Sequence, residues 1–182
     1  MIKLTNEVVV SDPCYKIPTW CQGIVKDVLP GNYHSFVRKY ADPLWGKRVS
    51  VLQVIHNDFL DTHLSWRDSS LSIGVDSGQC GIFSRETYRK DNIINKDLLP
   101  VNDFVLPYRD DEGDDWYECM CRFTLSEQSW GEYHGGVVSS SGIGDGSYKC
   151  LIAKHNGKVV GITIDYFMEK FPNKFLNEIQ FQ

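Results

Sequence analysis

The chain has 182 residues, 42% of them hydrophobic, and a formal net charge of −5. That is the length of one domain, with enough apolar material for a core that needs no disulfide or metal staples. The acidic balance, with a pI of about 5.5, argues against wrapping a nucleic-acid backbone, which calls for clustered Lys and Arg.

Period-two runs bounded by Gly, Pro, Asn and Asp recur along the chain, and helical periodicity is scarce. Glu7 to Val10 reads as a first strand stopped by Asp12-Pro13, because proline lacks the ladder donor. Pro30-Gly31-Asn32 turns the chain into a strand from Tyr33 to Tyr40. Arg48 to His56 is apolar on both faces and is expected to lie centrally in a sheet. Leu71 to Asp76 and Cys80 to Phe83 are two short runs around Ser77-Gly78. Ser84 could then cap a brief helix through Tyr88.

Residues 91–115 read as loop, and its acidic run from Asp110 to Asp115 as a solvated segment or a cation-binding loop. From Trp116 to Leu125 the alternation Tyr117, Cys119, Cys121, Phe123, Leu125 fits a strand, although Glu118 and Met120 are compatible with a helix. Tyr148 to His155 and Lys158 to Asp165 flank Asn156-Gly157, the strongest short-range hairpin signal because both central positions need positive φ. Phe167 to Ile179, interrupted by Pro172, reads as a short amphipathic piece with its aromatic residues against a sheet edge. These elements predict a mainly β fold, α+β at the margin: one domain over 1–182, an antiparallel sheet forming a sandwich or partly open barrel, with one or two short helices.

No run of about eighteen apolar residues occurs, so no membrane contact is expected. MIKLTNEVVVSDPCY lacks the apolar stretch of a secretory leader. A cytoplasmic location follows as an expectation, and with it six reduced cysteines, Cys14, Cys21, Cys80, Cys119, Cys121 and Cys150, mostly buried. Zinc is disfavoured because no pair has C-x-x-C spacing.

The most unusual stretch is SSSGIGDGSYK, Ser139 to Lys149. Gly142, Gly144, Asp145, Gly146 and Tyr148 form there a candidate binding loop whose backbone N–H groups could meet a ligand. It leads into a strand and carries no G-K-[ST] ending, unlike nucleotide phosphate loops. A tight connection with Asp145 bonding its own backbone is the plainer alternative. Asp12, Asp76 and Asp145 each end or follow a strand among turn-forming residues. Converging on one rim they could hold Ca²⁺ or Mg²⁺, with Asp165 or Ser77 as further ligands; otherwise they are separate turn caps.

Cys80, in GQCGIF, is the candidate nucleophile, since its glycine neighbours would leave the sulfur approachable, with His34, His56, His63, His134 or His155 as base. A half-buried strand thiol is the alternative. No G-x-S-x-G, H-E-x-x-H or dinucleotide fingerprint occurs. Trp20, Trp45, Trp66 and Trp130 lie among loop residues, where aromatics either anchor partners or pack under loops.

Asp12-Pro13-Cys14-Tyr15, Val75-Asp76-Ser77-Gly78 and Ser141-Gly142-Ile143-Gly144-Asp145-Gly146-Ser147-Tyr148 together give the chain a resemblance to an uncharacterised family of bacterial and bacteriophage domains. That family is marked by an early DPxY-like strand end, a V-D-[AS]-G turn and a late S-G-[YF]-G-D-G-x-Y loop. Ile143 stands where the family has an aromatic residue. The resemblance implies a compact β-rich fold and a bacterial or phage source, and transfers no catalytic residue. Three functions are therefore expected in order: an interaction domain acting on a host or partner protein, a metal-dependent hydrolase on the three aspartates, and a cysteine hydrolase on Cys80.

Overall fold

The computed structural model describes residues 1–44, 46–95 and 112–167. Eleven strands fall among them: β1 (Ile2–Leu4), β2 (Val8–Ser11), β3 (Gly23–Val25), β4 (Gly31–Asp42), β5 (Gly46–His56), β6 (Trp66–Val75), β7 (Gln79–Ser84), β8 (Trp130–Tyr133), β9 (Gly136–Ser140), β10 (Gly146–His155) and β11 (Lys158–Asp165). Among the described residues one helix, α1 (Asp114–Thr124), precedes β8, and short 3-10 turns occupy Asn57–Phe59 and Asp91–Ile93.

The strands form two antiparallel sheets, one of six in the order β1-β4-β5-β11-β10-β6 and one of five in the order β3-β2-β7-β9-β8. They pack as the expected sandwich. Their inner faces meet in one core, where Val8, Val10, Ile82 and Val137 of the small sheet join Leu52, Val54, Cys150, Ile162 and Ile164 of the large one. The sheets are also stitched at both sides, by Gly74 N–H to the Cys21 carbonyl at 3.0 Å and by Lys3 N–H to the His134 carbonyl at 2.8 Å.

Alternation along the small sheet sends Val9, Phe83 and Val138 outward, where Trp116, Cys119, Met120 and Phe123 of α1 cover them. The rings of Phe83 and Trp116 meet edge to face with centroids 5.1 Å apart. This is why β2, β7 and β9 carry apolar residues on consecutive positions: both faces are buried.

The expected strand over Trp116 to Leu125 is therefore corrected to a helix. Trp116, Cys119, Met120 and Phe123 follow the i, i+3, i+4, i+7 spacing of one helical stripe, and burying it decides against the period-two alternation present in the same residues. The Asp91 carboxylate accepts from the N–H groups of Gly113 and Trp116, each at 2.8 Å, satisfying donors a helix start leaves open. Arg122 pairs with Glu118 one turn earlier at 2.7 Å.

The brief helix after Ser84 is also corrected. Ser84 closes β7, its hydroxyl lies 2.8 Å from that of Thr5, and residues 85–89 form hydrogen-bonded turns. The predicted central strand is β5, between β4 and β11. The predicted hairpin is β10–β11, with Asn156 at φ 48° and Gly157 at φ 78°. The runs around Ser77-Gly78 belong to different sheets, so this turn carries the chain across the sandwich. Trp45 and the amphipathic piece after Phe167 lie outside the described residues, as do Asp110 and Asp111 of the acidic run.

Candidate functional site: a loop end built around Asp12

Strand registers place several connections at one end of the sandwich. In the small sheet Ser11 pairs opposite Gly81 and Gln79 opposite Ser140. In the large sheet Gly146 lies opposite Val75, Asp165 opposite Lys149, and Val51 opposite Asp165. The β2–β3 connection, the β6–β7 turn, the β9–β10 loop, the α1–β8 connection and the tip of the β4–β5 hairpin therefore share that end.

Asp12 organises it. The residue is fully buried, and its Oδ1 accepts from Cys14 N–H at 2.8 Å and the Ser77 hydroxyl at 2.6 Å. Its Oδ2 accepts from Asp76 N–H at 2.9 Å and Ser77 N–H at 2.7 Å. Two residues absent from the sequence-based candidates hold the same segment from behind. The Tyr88 hydroxyl donates to the Tyr15 carbonyl at 2.7 Å, and Arg89 donates to the Pro13 carbonyl at 2.8 Å. Neither had a sequence signal, since both lie in a turn without a motif.

Tyr15 donates to the Asp76 carboxylate at 2.6 Å, and this bond, with burial, keeps its phenol protonated far above the usual range. Asp145 accepts from Gly78 N–H at 3.0 Å, and Ser141 N–H returns a bond to the Gly78 carbonyl at 2.9 Å. The candidate binding loop is closed on itself: the Tyr148 hydroxyl donates to the carbonyls of Gly144 at 2.6 Å and Ser141 at 3.0 Å. Gly142 has φ 55°, and a Cβ there would lie 2.8 Å from that of Tyr166. The segments 12–15, 75–78 and 141–148 thus meet in one hydrogen-bonded unit.

The three aspartates do converge, but as acceptors for the protein's own donors. Both oxygens of Asp12 already hold two donors, which fills the four or so lone-pair positions of a carboxylate. Among the described residues no group of three or more His, Cys, Asp and Glu side chains is placed to hold a metal ion. Asp165 is engaged elsewhere, accepting from Phe167 N–H at 3.0 Å. The residues expected to hold Ca²⁺ or Mg²⁺ thus bind donors of the protein itself: Asp12 and Asp145 hold the β6–β7 turn, and Asp76, within that turn, holds Tyr15.

Cys80 is corrected as well. It faces the inter-sheet core with none of its surface exposed, and burial pushes its thiol well above the ordinary range. A nucleophile needs an approachable thiolate, and Cys80 provides neither condition. All six cysteines are free thiols, and Cys14 is the one that is not fully buried. Burial and the Asp12 carboxylate push the Cys14 thiol up in turn.

The end also exposes large apolar side chains. Among the described residues the exposed large hydrophobic side chains are Met1, Ile17, Trp20, Leu44, Leu125 and Ile143. All but Met1 belong to connections at this end. Trp20 is 95% exposed and Ile143 62%, whereas Trp66 packs over Gly161 and Trp130 against the main core. Among the described residues no helix is long and apolar enough to cross a membrane.

The fold and this end define a two-sheet antiparallel β-sandwich with a hydrogen-bonded loop end that exposes apolar side chains. The chain matches no protein-family profile, no curated protein and no solved structure.

Proposed function

We propose that the protein is a small binding domain that acts on a partner protein through the loop end of its sandwich. The observation that carries this reading is that, among the described residues, all the exposed large hydrophobic side chains but Met1, namely Ile17, Trp20, Leu44, Leu125 and Ile143, lie on connections at that end. Surface apolar residues scattered singly need no explanation, but their confinement to one end does, and exposed tryptophan is a favoured anchor. The network around Asp12 supports it, because a surface already held in shape loses little conformational entropy on binding.

The net charge of −5 favours a protein partner over a nucleic acid. The six free thiols suit a reducing cytoplasm. The three segments that meet at this end are those on which the resemblance to bacterial and phage domains rests, and in this reading the chain is an accessory protein of such origin acting on a host or partner protein.

The test compares immobilised wild-type protein with a Trp20→Ser, Ile143→Ser variant in extracts of the source cell. A discrete protein retained by the wild type and lost by the variant is expected. Identical capture by both proteins, or none by either, would count against the reading.

A further inference from the structure

Resting on that reading, we infer that the partner segment bound at the loop end carries a basic side chain, arginine or lysine, next to an apolar one. The apolar contact is Trp20 with Ile17 on the β2–β3 connection. The bond from Gly74 N–H to the Cys21 carbonyl ties this connection to β6 two residues before Asp76, and Tyr15 ties it to Asp76 itself. Ile143 stands on the β9–β10 loop, which Asp145 joins to the same turn.

Charge complementarity at this corner selects the partner's chemistry. Asp76 and Asp145 are exposed, and each commits one oxygen to the protein, so most of their acceptor positions remain for a donor from outside. Among the described residues neither is in an ion pair. The buried Asp12 carboxylate adds a third negative charge beneath them.

Apart from Lys16, the cations of the same end are committed or stand apart. Arg89 turns inward to the Pro13 and Cys14 carbonyls. Lys39 lies near Lys47 and Glu127 on the side of the β4–β5 hairpin. Lys16 is the one basic residue of the β2–β3 connection. A guanidinium can pair with a carboxylate through its fork while lying on an indole face, and an ammonium can do both less specifically.

The probe is a phage-displayed random dodecapeptide library selected on the full chain. Selected peptides are then synthesised and titrated by the change in tryptophan fluorescence. Selected sequences should pair Arg or Lys with an aromatic or aliphatic residue. Trp20→Ala should weaken them about tenfold or more, the effect of losing a central anchor. The double change Asp76→Asn, Asp145→Asn should weaken them comparably and flatten their salt dependence, while both asparagines still accept from Tyr15 and Gly78.

Peptides that need Trp20 but carry no basic residue, or that bind the double asparagine variant unchanged, would overturn the inference and leave the binding-domain reading standing. Failure to select any peptide, or binding indifferent to Trp20, would overturn both.

Discussion

Replacing Asp12 by asparagine tests whether this carboxylate is structural. The change is nearly isosteric but exchanges one acceptor oxygen for an NH2 group. The better orientation keeps the amide oxygen on the N–H groups of Asp76 and Ser77, now bonded to Oδ2 at 2.9 and 2.7 Å. The NH2 then faces the Cys14 N–H, and the Ser77 hydroxyl can rotate to accept from it. One buried N–H is stranded, at ~1–3 kcal/mol, and the other bonds fall from the ~1.5–3 kcal/mol of a charged acceptor toward the ~1 kcal/mol of a neutral one. Together these give a destabilisation of about 3–5 kcal/mol, a large share of the roughly 5–15 kcal/mol that holds a domain folded. Urea unfolding followed by tryptophan fluorescence measures it, and amide exchange at Cys14 and Ser77 should accelerate in the folded variant. A loss below about 1 kcal/mol would refute the reasoning, and would mean that the Asp12 carboxylate does not hold this end together.

Three further outcomes are expected. Gly142→Ala places a methyl group against Tyr166 at a backbone angle that alanine avoids; it should cost about 1–3 kcal/mol, and thermal melts would show it. Burial raises the Asp165 pKa above its ordinary 3.8, so its charged form costs stability that is lost as pH rises through the folded-state value and is regained when it is protonated. Asp165→Asn should therefore gain stability relative to wild type at pH 7 and lose that advantage in acid, and an equal effect at both pH values would contradict it. Iodoacetamide at pH 8 should modify the native protein slowly at every cysteine, Cys14 first because it alone is partly exposed. A single fast-reacting Cys80 would contradict the buried placement.

Elements whose signal is local were legible in the sequence. The hairpin at Asn156-Gly157 and the two-faced apolar strand β5 need no knowledge of the rest of the chain. The helix α1 was not, because its residues satisfy two periodicities at once and the Asp91 carboxylate that caps it lies 22 residues before Gly113. β1 and β3 have three residues each, too few for any period, and exist through pairing with β4 and β2. For the site, the turn-forming neighbours of Asp12, Asp76 and Asp145 were visible. That the three meet at one turn depends on β6 and β7 belonging to different sheets, which no local pattern encodes. Cys80 shows why flanking glycines do not by themselves give access: Gly81 has no room even for a Cβ beside Phe83 and the Val137 carbonyl, and Cys80 faces the opposite, buried side.

The closing of the loop end also has a kinetic side. Asp12 bonds to residues 64 and 65 positions away, and Gly78 to one 67 positions away, so its pieces are scattered over most of the chain. Contacts of such long range form slowly, since each needs a large loop closed before it stabilises anything. A chain growing from its N-terminus cannot complete this end until Asp145 has been synthesised. Until then Ser77 and Gly78 lack half of their clamp and the inner faces of β2 and β7 have no finished partner sheet. The surface proposed to meet a partner is thus among the last parts of the molecule to take shape, and a chain truncated before the β9–β10 loop would lack it altogether.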